Sequence, residues 1–113
     1  MEIDLSGFQM CHVEDKNETK NILREKRLIL RMTQKQVADE AKISLQQYQK
    51  FESGARNIRT CSFQIACRVI EALGMDISDF YHGQYALGEE IYLENGILKY
   101  KKTGMPVDED ILE

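Results

Sequence analysis

No stretch of the 113-residue sequence comes near the roughly 18 consecutive apolar residues that a membrane span requires. The opening MEIDLSGFQM holds neither a basic region nor an apolar core, so no secretory signal is expected there. Cysteine is scarce. Cys11, Cys61 and Cys67 are odd in number and lack CxxC spacing, which argues against a disulfide framework and fits a reducing, cytoplasmic setting. The adjacent Cys11 and His12 have no second pair of ligand-type residues to complete a metal site, so neither metal nor cofactor is expected. Catalytic signatures are also missing: there is no Gly-rich phosphate loop, no HExxH, no Gly-x-Ser-x-Gly and no carboxylate pair beside a nucleophile, so an enzyme is not expected. What is present, 42% hydrophobic and 30% charged residues, suits a soluble globular domain with one core.

The formal net charge of −4 speaks against nucleic acid, but its distribution does not. Residues 1–15 carry four acids and no base. Residues 16–60 carry eleven Lys/Arg against five Asp/Glu, and residues 61–113 carry four against ten. A phosphate backbone responds to local potential, so the central positive block supports DNA binding where the total does not.

The stretch TQKQVADEAKISLQQYQKFESG (33–54) reads as two short helices joined by a tight turn. Thr33 and Ser44 each stand one residue before a helical pattern, with Gln36 and Gln47 three positions on. That spacing is the capping box, in which the hydroxyl accepts from an orphan amide while the glutamine reaches back. Val37, Ala38 and Ala41 give the first helix an inward face; Tyr48 and Phe51 do so for the second, and Gly54 stops it. Left outward on the second helix are Leu45, Gln46, Gln49 and Lys50, a face rich in amides with one ammonium and no acid. Amides pair with adenine edges, cations with guanine edges, and an apolar side chain packs on a thymine methyl, so this face suits the major groove. In the following loop Arg56, Asn57 and Arg59 are placed to touch flanking phosphates.

Four pieces in register, ILREKRLILRMTQ (22–34), QVADEAKIS (36–44), FESG (51–54) and ALGMDISDFY (72–81), resemble the Cro/repressor-type helix-turn-helix family of bacteria and phages. The resemblance implies a mainly α fold, a five-helix repressor-like DNA-binding domain, with the third helix in the major groove and the second across the backbone. It implies that Gln34 anchors the second helix to a phosphate, and that Arg27 pairs with Glu52 to tie the first helix to the end of the third. Ser44 and Gln47 are caps or phosphate contacts. Two positions depart from the family pattern: Arg31 and Lys42 stand where relatives have glycine at helix ends. If Lys42 needs φ > 0, lysine there costs about 1 kcal/mol.

Around this centre the chain divides into an N-terminal arm (1–16), the helix-turn-helix domain (17–82), a β-hairpin extension (83–104) and an acidic tail (105–113). The arm is either poorly ordered or a short strand. A first helix is expected from Asn17 to Arg31, with Ile22, Leu23, Leu28, Ile29 and Leu30 as one wall of the core and its other basic residues solvated. Ser62 can cap a fourth helix whose inward face is Phe63, Ala66, Cys67, Ile70 and Leu73; Asp76 begins a short fifth with Ile77 and Phe80 inward. Asn95-Gly96 between two β-prone runs predicts a type I′ hairpin pairing Ile91 with Tyr100 and Leu93 with Leu98 on one apolar face. A lone hairpin is marginal in water, so that face must be covered. Either it packs on its own helices, or Ile91, Leu93, Leu98 and Tyr100 meet a second copy in a two-fold homodimer, the preferred alternative. The tail is expected to be mobile.

Two functions follow. One is a sequence-specific transcriptional regulator, a repressor binding double-stranded DNA at a palindromic operator as a homodimer. The other is an antitoxin-like protein-interaction module whose hairpin and tail bind a partner protein.

Overall fold

A computed structural model describes residues 19–112. The expected arm, the Cys11–His12 pair and the beginning of the first helix lie outside the described residues. Five helices follow one another: α1 (19–29 among the described residues), α2 (Gln34–Ala41), α3 (Leu45–Ser53), α4 (Phe63–Ala72) and α5 (Ile77–Tyr81). A 3-10 turn, Ile58–Thr60, links α3 to α4. Strands β1 (Ile91–Glu94) and β2 (Ile97–Tyr100) form an antiparallel hairpin, and a second 3-10 turn, Glu109–Ile111, follows.

Local chemistry fixes the helix limits. Both capping boxes form: Thr33 Oγ1 accepts from Gln36 N while Gln36 Oε1 accepts from Thr33 N, and Ser44 and Gln47 repeat the exchange. Ser62 and Asp76 accept from Ile65 N and Asp79 N to start α4 and α5. α1 and α2 end in the same way. The amide after the left-handed residue bonds five positions back (Met32 to Arg27, Ile43 to Ala38), and the left-handed residue bonds three back (Arg31 to Leu28, Lys42 to Asp39). Those left-handed residues are Arg31 at φ 59° and Lys42 at φ 60°, so both departures from the family pattern are non-glycine residues in the αL region.

The main core joins Ile22 and Leu23 of α1 to Val37, Ala38, Ala41, Tyr48, Phe51, Val69, Ile70, Leu73 and Phe80. Three expectations need correction. Leu30 lies past the end of α1, in the turn, and is half exposed rather than part of the core wall. Phe63 opens α4, where the apolar stripe runs beyond its packing partners, and is 78% exposed. Cys67 sits off the stripe formed by Ala66, Val69, Ile70 and Leu73 and is only half buried. Cys61, at the helix entrance, packs against the core instead. Burial there pushes the Cys61 thiol pKa up, and its Sγ donates to Ile58 O at 3.2 Å.

The hairpin pairs in the register read from the sequence, Ile91 with Tyr100 and Leu93 with Leu98, across an Asn95-Gly96 turn with both residues at positive φ. Its apolar face is covered at the base by its own chain. Leu28 of α1, Ile91, Tyr100, Val107 and Ile111 form a second core, flanked by Ile29, Leu98 and Leu112. Of the residues assigned to dimerisation, Ile91 and Tyr100 are therefore buried within the chain, Leu98 is half buried, and Leu93 stays 67% exposed.

The tail is not a free segment, contrary to expectation. Val107 and Ile111, four apart, are both buried. Val107 N donates to Leu98 O at 2.8 Å, Tyr100 N donates to Met105 O at 3.0 Å, and Pro106 bridges Lys99, so residues 105–107 line the outer edge of β2. A third segment and a helix thus supply what two strands alone lack.

The basic residues of α1 are not simply solvated either. Arg24 Nη2 donates to Leu112 O at 3.1 Å, and Lys26 lies 3.8 Å from Glu90 and over the Tyr85 ring. Among them Glu25 is buried, its carboxylate accepting from Gly88 N, Glu90 N and Ile91 N at 2.8–3.3 Å. It thereby holds the entry to the hairpin, a buried charge whose hydrogen bonds offset its desolvation. Tyr100 Oη donates to Leu28 O at 2.8 Å, satisfying a carbonyl at the end of α1, and Arg31 stacks over the Tyr100 ring.

Candidate nucleic-acid interface

The capping boxes and the Lys42 turn set α2 and α3 against each other, and a polar network locks the outer end of the pair. At its centre is the Glu52 carboxylate. Arg27 Nε donates to Glu52 Oε2 at 2.5 Å and Arg27 Nη2 to Oε1 at 3.2 Å, while Tyr48 Oη donates to Oε2 at 2.6 Å and Gln34 Nε2 to Oε1 at 3.0 Å. The ion pair is buried, with the Arg27 side chain 0% and that of Glu52 5% exposed. Burial, reinforced by the Glu52 charge, raises the Tyr48 pKa far above the ordinary tyrosine range, so the phenol remains a donor. A carboxylate can only accept, and this fixes the Gln34 amide: its NH2 points to Glu52 and its Oε1 outward. That oxygen accepts from Gln49 Nε2 at 3.2 Å. The start of α2 and the outer face of α3 are thereby linked through one side chain.

The sequence-selected face is presented to solvent. Gln46, Gln49 and Lys50 are exposed, Leu45 is half buried, and none of the four belongs to the main core. Ser44 and Gln47 are both engaged in the capping box, though the Gln47 NH2 keeps its donors. In the loop, the three residues part company. Arg56 is exposed, and its guanidinium makes no hydrogen bond or ion pair with the described residues. Asn57 Oδ1 accepts from Arg59 N at 2.9 Å to cap the 3-10 turn. Arg59 is drawn back over the Phe80 ring, with Nε 3.2 Å from Thr19 Oγ1, so its charge also serves the fold.

One cation beside this surface was not singled out by sequence reasoning. Lys20 of α1 lies against the end of α3, with Nζ 3.5 Å from Ser53 O and its stem so close that a Cβ on Gly54 would meet its Cδ at 2.8 Å. Gly54, at φ 85°, is required there by its backbone, whereas the flexible end of Lys20 can move aside. Its only sequence signal was a lysine one helical turn before Arg24, indistinguishable from its neighbours.

Comparison with known families agrees with this geometry: a helix-turn-helix family model matches residues 23–80, from α1 through α5. The chain belongs to the Cro/repressor-type helix-turn-helix family. It is accordingly a DNA-binding transcriptional regulator, and this family is regulatory rather than catalytic. No curated protein and no solved structure matches the chain. The match stops at residue 80, so the hairpin and the docked tail are additions to the shared domain. Among the described residues no helix is long and apolar enough to cross a membrane, and no group of three or more potential ligand side chains could hold a metal ion.

Proposed function

We propose that this helix-turn-helix protein is a cytoplasmic repressor that binds a palindromic operator as a homodimer. The observation that carries the reading is the α3 face itself: Gln46, Gln49 and Lys50 project together from a helix fixed at both ends, with no acid among them. On this reading Gln46 pairs with an adenine, Lys50 donates to a guanine, Leu45 packs on a thymine methyl and Gln49 works with Gln34 at the rim. Gln34, Ser44, Gln47, Asn57 and Arg56 contact phosphates, with Lys20 joining them and Arg59 contributing less than its position in the loop suggested.

Two-fold pairing is supported by what the chain leaves uncovered. Leu87, Leu93 and Ile97 are exposed, and a groove of about 220 Å³ between α1 and the hairpin is lined by Leu28, Leu87, Leu93 and Leu98. β1 has no strand paired on its outer edge among the described residues, where Glu25 takes only the Ile91 amide. A strand edge beside an apolar face suits isologous pairing. The alternative, an antitoxin-like module whose tail orders on a partner protein, loses support because the tail is already packed on its own helix.

Selection from a random duplex library tests the reading. The expected product is a two-fold symmetric motif with half-site centres about one helical turn apart. An asymmetric motif would refute the dimer, and no enrichment at low salt would refute sequence reading.

A further inference from the structure

Arg27 does more than bridge α1 and α3. Its guanidinium carries five N–H donors in a rigid fork. Two of its nitrogens face Glu52; the third, Nη1, donates to Met32 O at 2.9 Å and to Ile111 O. With its side chain fully buried, Arg27 takes its acceptors from the protein. One of these belongs to the segment beyond the shared family domain. Ile111 and Val107 are buried beside it, and Arg24 holds the neighbouring Leu112 carbonyl.

A continuous line of hydrogen bonds therefore runs from the C-terminal segment to the exposed face of α3: Ile111 O, Arg27, Glu52, Gln34, Gln49. Each link constrains the next. Arg27 holds the Glu52 carboxylate in place. That carboxylate dictates which end of the Gln34 amide points inward, and Gln34 Oε1 in turn orients the Gln49 amide. We propose that residues 107–112 form a strap that positions Gln34 and Gln49 for reading DNA, so that whatever lifts the strap lowers sequence preference. This rests on the proposed reading of DNA by α3 and adds a control point to it. With the strap displaced, Arg27 Nη1 loses an acceptor and water reaches the ion pair, so the Gln34 amide is no longer held in one orientation.

The test uses the full chain carrying Ile111→Asp, which places a charge in the second core, and the milder Ile111→Ala. Affinities for the selected duplex and for a random duplex of equal length are measured by fluorescence anisotropy, with circular dichroism confirming that the helices persist. The expected result is a fall in the ratio of the two affinities of about tenfold for Ile111→Asp and less for Ile111→Ala, a size usual for coupled sites. In a Gln49→Ala background the strap substitutions should leave the ratio within about twofold, since the side chain that remains, Gln34, contacts phosphate and acts on both duplexes alike. An unchanged ratio in Ile111→Asp, or an equal loss without Gln49, would overturn the proposal. The side-chain NH2 resonances of Gln34 and Gln49, followed by NMR without DNA, give a second readout and keep the test valid if Ile111→Asp is poorly folded and only Ile111→Ala can be used. They should shift toward free-glutamine values; fixed resonances would refute the line of contacts. A wild-type chain that shows no preference between duplexes would instead refute DNA reading, and the strap's role with it, even if the resonances move.

Discussion

Helix α1 has a different kind of core on each of two sides. Toward α2–α5 it contributes Ile22 and Leu23 to a cluster of thirteen buried side chains drawn from all five helices and the connecting turns. Toward the hairpin and tail it contributes Leu28 to a cluster of five buried residues that come from three separated segments. The first core is held by helix periodicity and capping boxes. The second depends far more on polar anchors: Glu25 on three amides at the hairpin entry, Tyr100 on a helix carbonyl, and Arg24 and Arg27 on tail carbonyls. A small apolar cluster cannot bury enough area to order three segments, so directed hydrogen bonds supply the rest.

Arg27 belongs to both regions, and its removal is expected to have the largest effect. Arg27→Ala leaves the buried Glu52 carboxylate without its counter-charge and Ile111 O and Met32 O without a donor. Breaking a buried pair in this way costs about 3–5 kcal/mol. Urea denaturation should show this loss, and the tail amides should lose protection together with α3. A loss below about 1 kcal/mol would mean that the two regions are not joined through this residue.

The comparison sharpens with one truncation in each core. Leu23→Ala, in the main core, should cost about 2–5 kcal/mol of global stability. Ile111→Ala should cost less, and much of its effect should be local, because a peripheral unit can open without the rest. Hydrogen exchange separates the two. In Ile111→Ala the Val107 and Tyr100 amides, which bond Leu98 O and Met105 O, should exchange faster while Val37 and Ala38 are unchanged. Equal acceleration everywhere would show one cooperative unit instead of two.

The same division decides what could be read in advance. Capping boxes are local, so Thr33/Gln36 and Ser44/Gln47 announced both helix starts. The Asn95-Gly96 turn admits one pairing, so the strand register followed from it. Arg27 and Glu52 came to notice through family resemblance, and the sequence held no trace of the Ile111 carbonyl that shares the guanidinium. In MPVDEDILE the two buried positions, Val107 and Ile111, are separated by three acids, and composition spoke for solvent. Its docking depends on carbonyls meeting Arg24 and Arg27 more than eighty positions away, which no local pattern encodes. Arg59 failed as a simple surface cation for the same reason. Its partners, Thr19 and Phe80, are forty and twenty-one positions distant in sequence.

The smallest effect concerns the turns that join these regions. Arg31 and Lys42 hold φ near 60°, where an L side chain crowds the following carbonyl, whereas Gly74 ends α4 in a matching turn without that strain. Lys42→Gly should relieve the strain but add freedom to the unfolded chain, leaving a net gain of about 0.5–1 kcal/mol. Arg31→Gly should gain less, because Arg31 also stacks on Tyr100 at 4.4 Å and that contact is lost. Thermal denaturation of the two variants separates these terms, since a change of about 1 kcal/mol moves the midpoint of a domain this size by several degrees. Equal stabilisation by both would show that the cation over Tyr100 adds nothing to holding the hairpin. A loss of stability in Arg31→Gly with a gain in Lys42→Gly would show instead that the arginine was kept for its contact with the added hairpin, at the expense of the backbone it strains.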